Sequence, residues 1–168
     1  MKKGIATLLI TSLSIHSVYA DTKDKMTLDI QQNINELRDI DYLREKLVAT
    51  ALQFEGYPYT WGGTTPGTSF DCSGLIQWSY QQIGYELPRV SYQQAKEGRE
   101  VSVEDIKPGD VIAFHTSNRN GPGEVSHVAL YINNNLMLHA RSSKYGILVE
   151  EYSPGWKAKT VTIRRIIE

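Results

Sequence analysis

Residues 57–80 read YPYTWGGTTPGTSFDCSGLIQWSY and include Cys72, the only cysteine of the chain. The part of this stretch before Cys72 is rich in glycine, threonine and proline, which is typical of a loop with tight turns. After Cys72, the apolar residues Leu75, Ile76 and Tyr80 recur at helical spacing. The pattern therefore predicts that Cys72 lies at the N-terminus of a helix.

A cysteine in this position has two advantages as a nucleophile. The partial positive charge at a helix N-terminus lowers the pKa of a thiol, and the unpaired backbone N–H groups there can bind an oxyanion. The alternative is that Cys72 only fills space, because cysteine is among the most buried residue types. The polar neighbours Asp71 and Ser73 do not suit a dry core, so they favour the nucleophile.

The first twenty residues have the pattern of a secretory signal peptide. Lys2 and Lys3 precede an apolar stretch over residues 5–15, and residues 18–20 fit a small-x-small cleavage site. Spanning a bilayer takes about 20 apolar residues, so we expect cleavage after residue 20 and no stable membrane insertion. The alternative is an uncut N-terminal anchor. The expected location is secreted or periplasmic, where a lone cysteine without a disulfide partner favours a functional role.

The remaining chain predicts one domain. Residues 21–40 are polar and are interpreted as an N-terminal extension, and residues 41–168 as a single folded domain. Asp39 or Asp41 is a candidate N-cap for the first helix of that domain. Helical patterns come first and alternating strand patterns follow, so the predicted fold class is α+β, with helices packed on an antiparallel sheet.

Two histidines complete a candidate catalytic group. His127 begins the strand pattern HVALYI, His139 ends the pattern LMLH, and three asparagines between them predict a hairpin turn. The hairpin brings the two histidines within side-chain reach of each other. This arrangement predicts a nucleophile, a base and an orienting group in Cys72, His127 and His139. His115 lies in a polar loop and is assigned a structural role.

Other uses of these residue types are disfavoured. A zinc site needs at least three protein ligands, and the chain has no C-x-x-C or H-E-x-x-H spacing. We therefore expect no metal and no other cofactor. The net charge of −1 gives no indication of nucleic-acid binding.

Several segments together resemble a known family. The stretch at residues 57–80, followed by PRVSYQQ, IKPGDVIAF, SHVALYI and LMLHA, is similar in content and order to the NlpC family of bacterial cell-wall cysteine peptidases. The resemblance covers about residue 41 to the C-terminus. It implies a papain-like α+β fold in which the cysteine helix packs on an antiparallel sheet, and it marks residues 41–168 as the catalytic domain.

The resemblance also implies roles for individual residues. Cys72 would be the nucleophile, His127 the general base and His139 the third polar residue that orients the imidazole. Tyr59 would lie near the nucleophile and assist the oxyanion site. The residues expected to contact substrate are Tyr59, Asp71, Ser73, Arg89 and Ser91.

The function implied is that of an endopeptidase whose partner is peptidoglycan, and we expect the protein to be a monomer. The expected cut lies between D-γ-glutamate and a diamino acid of the stem peptide. Two alternatives remain open at this point. One is a peptidoglycan amidase or transpeptidase of the same fold, and the other is a catalytically silent wall-binding module.

Overall fold

The computed structural model describes the backbone of residues 3–168 and the side chains of residues 18–168. Most of the predicted signal peptide therefore lies outside the residues whose side chains are described. The chain divides into two units, one that ends at Asp39 and one that comprises Ile40–Glu168. Among the described residues, no helix is both long enough and apolar enough to cross a membrane.

The first helix, α1, comprises Lys3–Leu52. Asp39 and Asp41 lie inside it, so the prediction that one of them caps the start of a helix is wrong. Residues 21–52 contain no glycine or proline, so no strong helix breaker interrupts the backbone there. The side chains of residues 18–39 are all exposed. Helix formation in that segment therefore follows local propensity and owes nothing to the burial of those side chains.

The second helix, α2, comprises Cys72–Gln81, as the apolar spacing predicts. Asp71 is its N-cap, and the carboxylate accepts a hydrogen bond from the backbone N–H of Gly74. Leu75 and Tyr80 are fully buried. Two further helices are single turns, α3 (Ser91–Gln94) and α4 (Pro154–Lys157).

The described residues form eight strands, and those of the C-terminal part follow the antiparallel pattern that the sequence predicts. They are β1 (Thr64–Thr65), β2 (Ser69–Phe70), β3 (Arg99–Glu100), β4 (Val111–Phe114), β5 (His127–Asn133), β6 (Leu136–Ser142), β7 (Gly146–Glu151) and β8 (Thr160–Arg165). The first two form a small ribbon before α2. The others form one sheet in the order β3, β8, β4, β5, β6, β7, in which all neighbours are antiparallel.

The hairpin of β5 and β6 turns at the predicted run of asparagines. Asn134 and Asn135 have φ angles of 45° and 63°, in the left-handed region. Asparagine tolerates this region better than most residues do, and two such residues in succession match the twist of the flanking strands. The hairpin prediction is thereby confirmed.

The two faces of the sheet carry separate clusters of apolar side chains. One cluster joins residues of α1 and α2, such as Leu47 and Leu75, to Val128 and Leu138. The other cluster lies under α4 and contains Ile112, Phe114, Ala129, Met137 and Tyr152. The alternation of the two sets along β5 and β6 is the period of two expected for strands buried on both faces. The fold is therefore α+β, as predicted.

A buried ion cluster ties α1 to the sheet. Asp110, which precedes β4, is completely buried and accepts hydrogen bonds from Arg165 Nε (3.0 Å) and Nη2 (2.8 Å). Arg44 Nη1 of α1 lies 3.3 Å from the same carboxylate, and the backbone N–H of Lys107 donates to it at 2.8 Å. One carboxylate is thus shared by two buried arginines.

Candidate active site

Two glycines allow the turn-rich loop to pack directly on α2. A Cβ atom on Gly74 would overlap the carbonyl oxygen of Gly63, and a Cβ on Gly63 would overlap the carbonyl oxygen of Ser69. The TWGG and DCSG segments of the sequence therefore meet backbone to backbone. Cys72 lies at this junction, two residues before Gly74.

This close approach predicts a strong effect for Gly74→Ala. Overpacking of a well-packed site typically costs about 1–3 kcal/mol, and here the obstruction is backbone that cannot rotate away. We expect the free energy of unfolding to fall by that amount, as measured by denaturant unfolding. Gly67→Ala is the matched control, because a Cβ there meets no atom within 4 Å. Equal stability of the two variants would contradict the packing argument.

Asp71 holds the start of α2 in place. Its Oδ2 accepts a hydrogen bond from the backbone N–H of Gly62 (3.0 Å). Arg89 binds the same carboxylate with two hydrogen bonds, Nη2 to Oδ2 at 2.7 Å and Nη1 to Oδ1 at 3.0 Å. Arg89 Nη1 also donates to Ser73 Oγ at 2.9 Å. Three of the residues predicted to contact substrate thus form a network that joins the loop, α2 and the segment before α3.

A cavity of about 430 Å³ opens above this network and is called the cleft below. The half-buried Cys72 lies on its wall. The cleft brings together all the residues predicted to contact substrate, which are Tyr59, Asp71, Ser73, Arg89 and Ser91. His127 lines a second, smaller cavity of about 190 Å³ with Arg141 and Trp156.

The pKa of the Cys72 thiol is higher than the sequence predicts. Burial raises its pKa above the ordinary value, and the charge of Asp71 adds to this effect. Hydrogen bonds from the backbone of Val128 and Ser73 act in the opposite direction but do not outweigh burial. The helix N-terminus therefore lowers this pKa as expected, through the backbone of Ser73, but burial outweighs the effect and the net shift is upward. The Val128 bond also places the sulfur beside the His127–Val128 peptide.

The two predicted histidines are in direct contact. His127 Nε2 lies 2.7 Å from His139 Nδ1. In the hairpin, Leu130 pairs with Leu138, so the two histidines are diagonal neighbours on one face. His139 lies inside β6 and not at its end, because the strand continues to Ser142. Side-chain reach across the hairpin is thereby confirmed.

Both imidazoles are held in the neutral form. Burial, with smaller contributions from Arg119 and Arg141, lowers the pKa of His127 to about 4. Burial and the neighbouring His127 lower the pKa of His139 to about 2. A neutral imidazole is the form that can accept a proton from a thiol.

Glu150 is a member of this group that sequence reasoning missed. Its Oε1 lies 2.7 Å from His139 Nε2, and its Oε2 accepts a hydrogen bond from Arg141 Nη1 at 3.2 Å. Glu150 pairs with Met137 across β6 and β7, which makes it the diagonal neighbour of His139. In the sequence, the only signal for Glu150 is an acidic residue on the strand that follows β6. Its proximity to His139 depends on the register of β6 and β7, which the sequence does not reveal.

Tyr59 lines the cleft near the sulfur. Burial, and then the charges of Cys72 and Asp71, raise the pKa of its phenol to about 12. The hydroxyl therefore stays protonated at neutral pH and can donate a hydrogen bond.

In the described part of the chain, no group of three His, Cys, Asp or Glu side chains has the arrangement of a metal site.

Comparison with known proteins assigns this arrangement to a family. The sequence matches the NlpC/P60 family over residues 56–165. The chain belongs to this family. The matched region includes the cysteine helix, the histidine hairpin and every residue of the cleft discussed above.

Individual NlpC/P60 relatives cover most of this chain. The gamma-DL-glutamyl hydrolase of Bacillus subtilis is 42% identical over 123 residues, which are 71% of this chain and 28% of that protein. The bifunctional muramidase/DL-endopeptidase CwlT of the same organism is 31% identical over 149 residues, which are 88% of this chain and 44% of that protein. The chain thus spans less than half the length of either relative.

A solved structure of an NlpC/P60 protein from Staphylococcus aureus has a TM-score of 0.67 and 40% identity, and the match covers 76% of this chain and 42% of that one. The family resemblance inferred from the residues is therefore confirmed, and so is the α+β fold.

Proposed function

We propose that this NlpC/P60 protein is a cysteine endopeptidase that hydrolyses the bond between D-γ-glutamate and a diamino acid in peptidoglycan stem peptides. The observation that carries the proposal is the contact between the imidazoles of His127 and His139 at 2.7 Å. The backbone of Val128, the residue after His127, bonds the sulfur of Cys72, and Cys72 lines the cleft. The choice of bond is supported by the relatives, one of which is named a gamma-DL-glutamyl hydrolase and another a DL-endopeptidase.

Glu150 Oε1 lies 2.7 Å from His139 Nε2 but outside hydrogen-bond geometry in this structure, and we propose that a hydrogen bond between them sets which nitrogen of each imidazole carries the proton. If Glu150 accepts the proton of His139 Nε2, then His139 Nδ1 is an acceptor and His127 Nε2 must donate to it. The lone pair of His127 Nδ1 is then free to accept the thiol proton of Cys72. Glu150 and His139 act in this scheme as positioning residues, and His127 acts as the general base.

The reaction proceeds through an acyl-enzyme. Cys72 Sγ attacks the γ-carbonyl carbon while its proton passes to His127. The resulting oxyanion is bound by the backbone N–H of Cys72, which has no partner within the first turn of α2, and by the hydroxyl of Tyr59. The imidazolium of His127 then protonates the leaving amine as the C–N bond breaks. A water molecule, deprotonated by His127, hydrolyses the thioester and releases the thiol.

We further propose that residues 41–168 form the catalytic domain and that residues 21–40 are an N-terminal extension. The division of the chain after Asp39 supports this limit. Loss of residues 1–20 would accompany export of the enzyme. A secreted or periplasmic enzyme would be located where its substrate lies. We expect it to act as a monomer.

Digestion of defined muropeptides followed by mass spectrometry tests the proposal. A cut after D-γ-glutamate releases fragments that begin with the diamino acid. An amidase would instead release the whole stem from the sugar, and a transpeptidase would join two stems. A silent wall-binding module would leave the muropeptides intact. Each outcome has its own product masses, so any pattern other than the first contradicts the proposed bond specificity.

The lowered pKa of His127 predicts the acidic limb of the pH profile. His127 must be neutral to accept the thiol proton, and its pKa of about 4 keeps it neutral well below the ordinary histidine value. We therefore expect kcat/KM to be retained as the pH falls through about 6.5, the value for an unperturbed histidine. The loss should occur only near the lowered value. A half-maximal kcat/KM near pH 6.5 would contradict the burial argument.

Folding must be monitored in the same experiment. The folded-state pKa values of both histidines lie below the unfolded value of about 6.5, so the unfolded chain binds more protons as the pH falls. The contribution of the neutral histidines to stability is complete above that value and is lost as the pH falls towards 4. Circular dichroism at each pH separates loss of fold from loss of the general base.

A further inference from the structure

The cleft contains two arginines with different surroundings. Arg89 is neutralised by Asp71 through two hydrogen bonds. Arg119 also lines the cleft, yet among the described residues no carboxylate lies within 4.0 Å of its guanidinium. The cleft therefore contains one cation whose charge is not balanced by an acidic partner.

Arg119 is held in place by uncharged groups. Its guanidinium carbon lies 4.3 Å from the centroid of the Trp61 ring, a cation–π contact between the loop before β5 and the glycine-rich loop. Its Nη2 donates to the carbonyl oxygen of Ser126 at 3.4 Å. Neither contact uses all five N–H donors or the positive charge, so a planar anion can still bind.

The loop that carries Arg119 is held by its own hydrogen bonds. Ser126 Oγ accepts from the backbone N–H groups of Thr116 (2.9 Å) and Ser117 (3.0 Å). Asn120 Nδ2 donates to the carbonyl oxygen of Val125 at 2.7 Å. A ligand that binds Arg119 therefore meets a loop that is already folded and pays less ordering entropy.

Arg119 also lies close enough to influence the reacting groups. Its charge lowers the pKa values of Cys72, Tyr59 and His127. Arg119, Cys72 and Tyr59 line the same cleft, so an anion bound to Arg119 would lie near the scissile bond.

We propose that Arg119, supported by Trp61, binds a carboxylate of the stem peptide that flanks the scissile amide, and that it selects substrates in which this carboxylate is free. The inference rests on the proposed function. A γ-linkage leaves the α-carboxylate of the glutamate unused in the chain, and a diamino acid can carry a second carboxylate on its side chain. Amidation or absence of that group leaves the guanidinium without its charged partner.

Four peptides separate the two sources of the carboxylate. They are L-Ala-γ-D-Glu and L-Ala-γ-D-isoglutamine, each extended by L-lysine or by meso-diaminopimelate and closed by D-alanine amide, so that the α-carboxyl group of the diamino acid is in amide linkage in all four. We expect kcat/KM to favour the free carboxylate at one of the two positions by about 10- to 100-fold, the range for a hydrogen bond to a charged group. Arg119→Gln should reduce that ratio to near one, and Arg119→Lys should retain part of it.

Arg99→Gln is the matched control, because Arg99 is an exposed arginine on β3 whose partner is Glu168. It should leave every ratio unchanged. The inference is overturned if the preference of the wild type for a free carboxylate, at the glutamate and at the diamino acid, persists in Arg119→Gln. The proposed function would remain intact. The same holds if the wild type shows no preference at either position.

Binding provides a readout that does not depend on turnover. Titration calorimetry of the same four peptides with Cys72→Ala, with and without Arg119→Gln, should show the same preference in Kd. If the wild type cleaves none of the peptides, the proposed bond specificity fails, and calorimetry alone decides the carboxylate site. Equal affinities for all four peptides would then overturn it.

Discussion

Cys72→Ala is expected to reduce hydrolysis of stem peptides to the background rate. Removing the nucleophile of a catalytic unit lowers kcat on the order of 10⁶-fold, because the acyl-enzyme cannot form. Cys72→Ser should be similarly inactive, since a hydroxyl is a far weaker acid than a thiol and His127 with a pKa of about 4 is a weak base. Mass spectrometry of muropeptides after long digestion measures the residual rate.

The fold should survive this substitution. Cys72 is half-buried, and the N-cap of α2 is provided by Asp71 and not by the cysteine. Ser79→Ala on the same helix is a suitable control, because Ser79 Oγ is buried without a hydrogen-bond partner among the described residues. It should keep full activity and stability. Hydrolysis by Cys72→Ala above the background would refute the proposed mechanism.

Asp110→Ala is expected to have the largest effect on stability. Removing one partner of a buried ion pair costs about 3–5 kcal/mol, and here the loss leaves two buried arginines, Arg44 and Arg165, without their carboxylate. The repulsion between the two guanidinium groups adds to the cost. The free energy of unfolding from urea titration measures the effect, with the slope of the transition as a check on two-state behaviour.

Two further variants make this result interpretable. Asp105→Ala removes an exposed carboxylate of the same loop, whose partner is Ser102 Oγ, and should cost less than about 1 kcal/mol. Asp110→Asn keeps an acceptor oxygen and should lie between the wild type and Asp110→Ala. If Asp110→Ala does not fold, the asparagine variant still gives a measurable value. A loss below about 1 kcal/mol for Asp110→Asn would contradict the role assigned to the buried charge.

The features that depend on local sequence were predicted correctly. The helix start at Cys72 follows from turn residues and apolar spacing within a short stretch. The contact between His127 and His139 follows from the hairpin register, which the run of asparagines specifies. The order of helices and strands was enough for the fold class. In each case the interacting residues are close together in sequence or related by a simple repeat.

The features that depend on tertiary contacts could not be predicted. The pKa of Cys72 is set by how deeply its sulfur is buried against the sheet, which outweighs the effect of the helix N-terminus. Glu150 reaches His139 only because β7 pairs with β6 in a particular register. The predicted start of α1 was wrong for a different reason. Asp39 and Asp41 have the residue type of an N-cap, but no helix breaker precedes them.

The burial of Cys72 also affects how the enzyme survives between substrates. Peroxides and disulfides react with a thiolate and only slowly with a thiol. The raised pKa favours the protonated sulfur, so we expect the free protein to react only slowly with peroxide. If His127 is the general base, as proposed, the reactive thiolate forms only during attack on a bound peptide. On that mechanism, the burial that makes a general base necessary also protects the thiol of Cys72 from chemical damage.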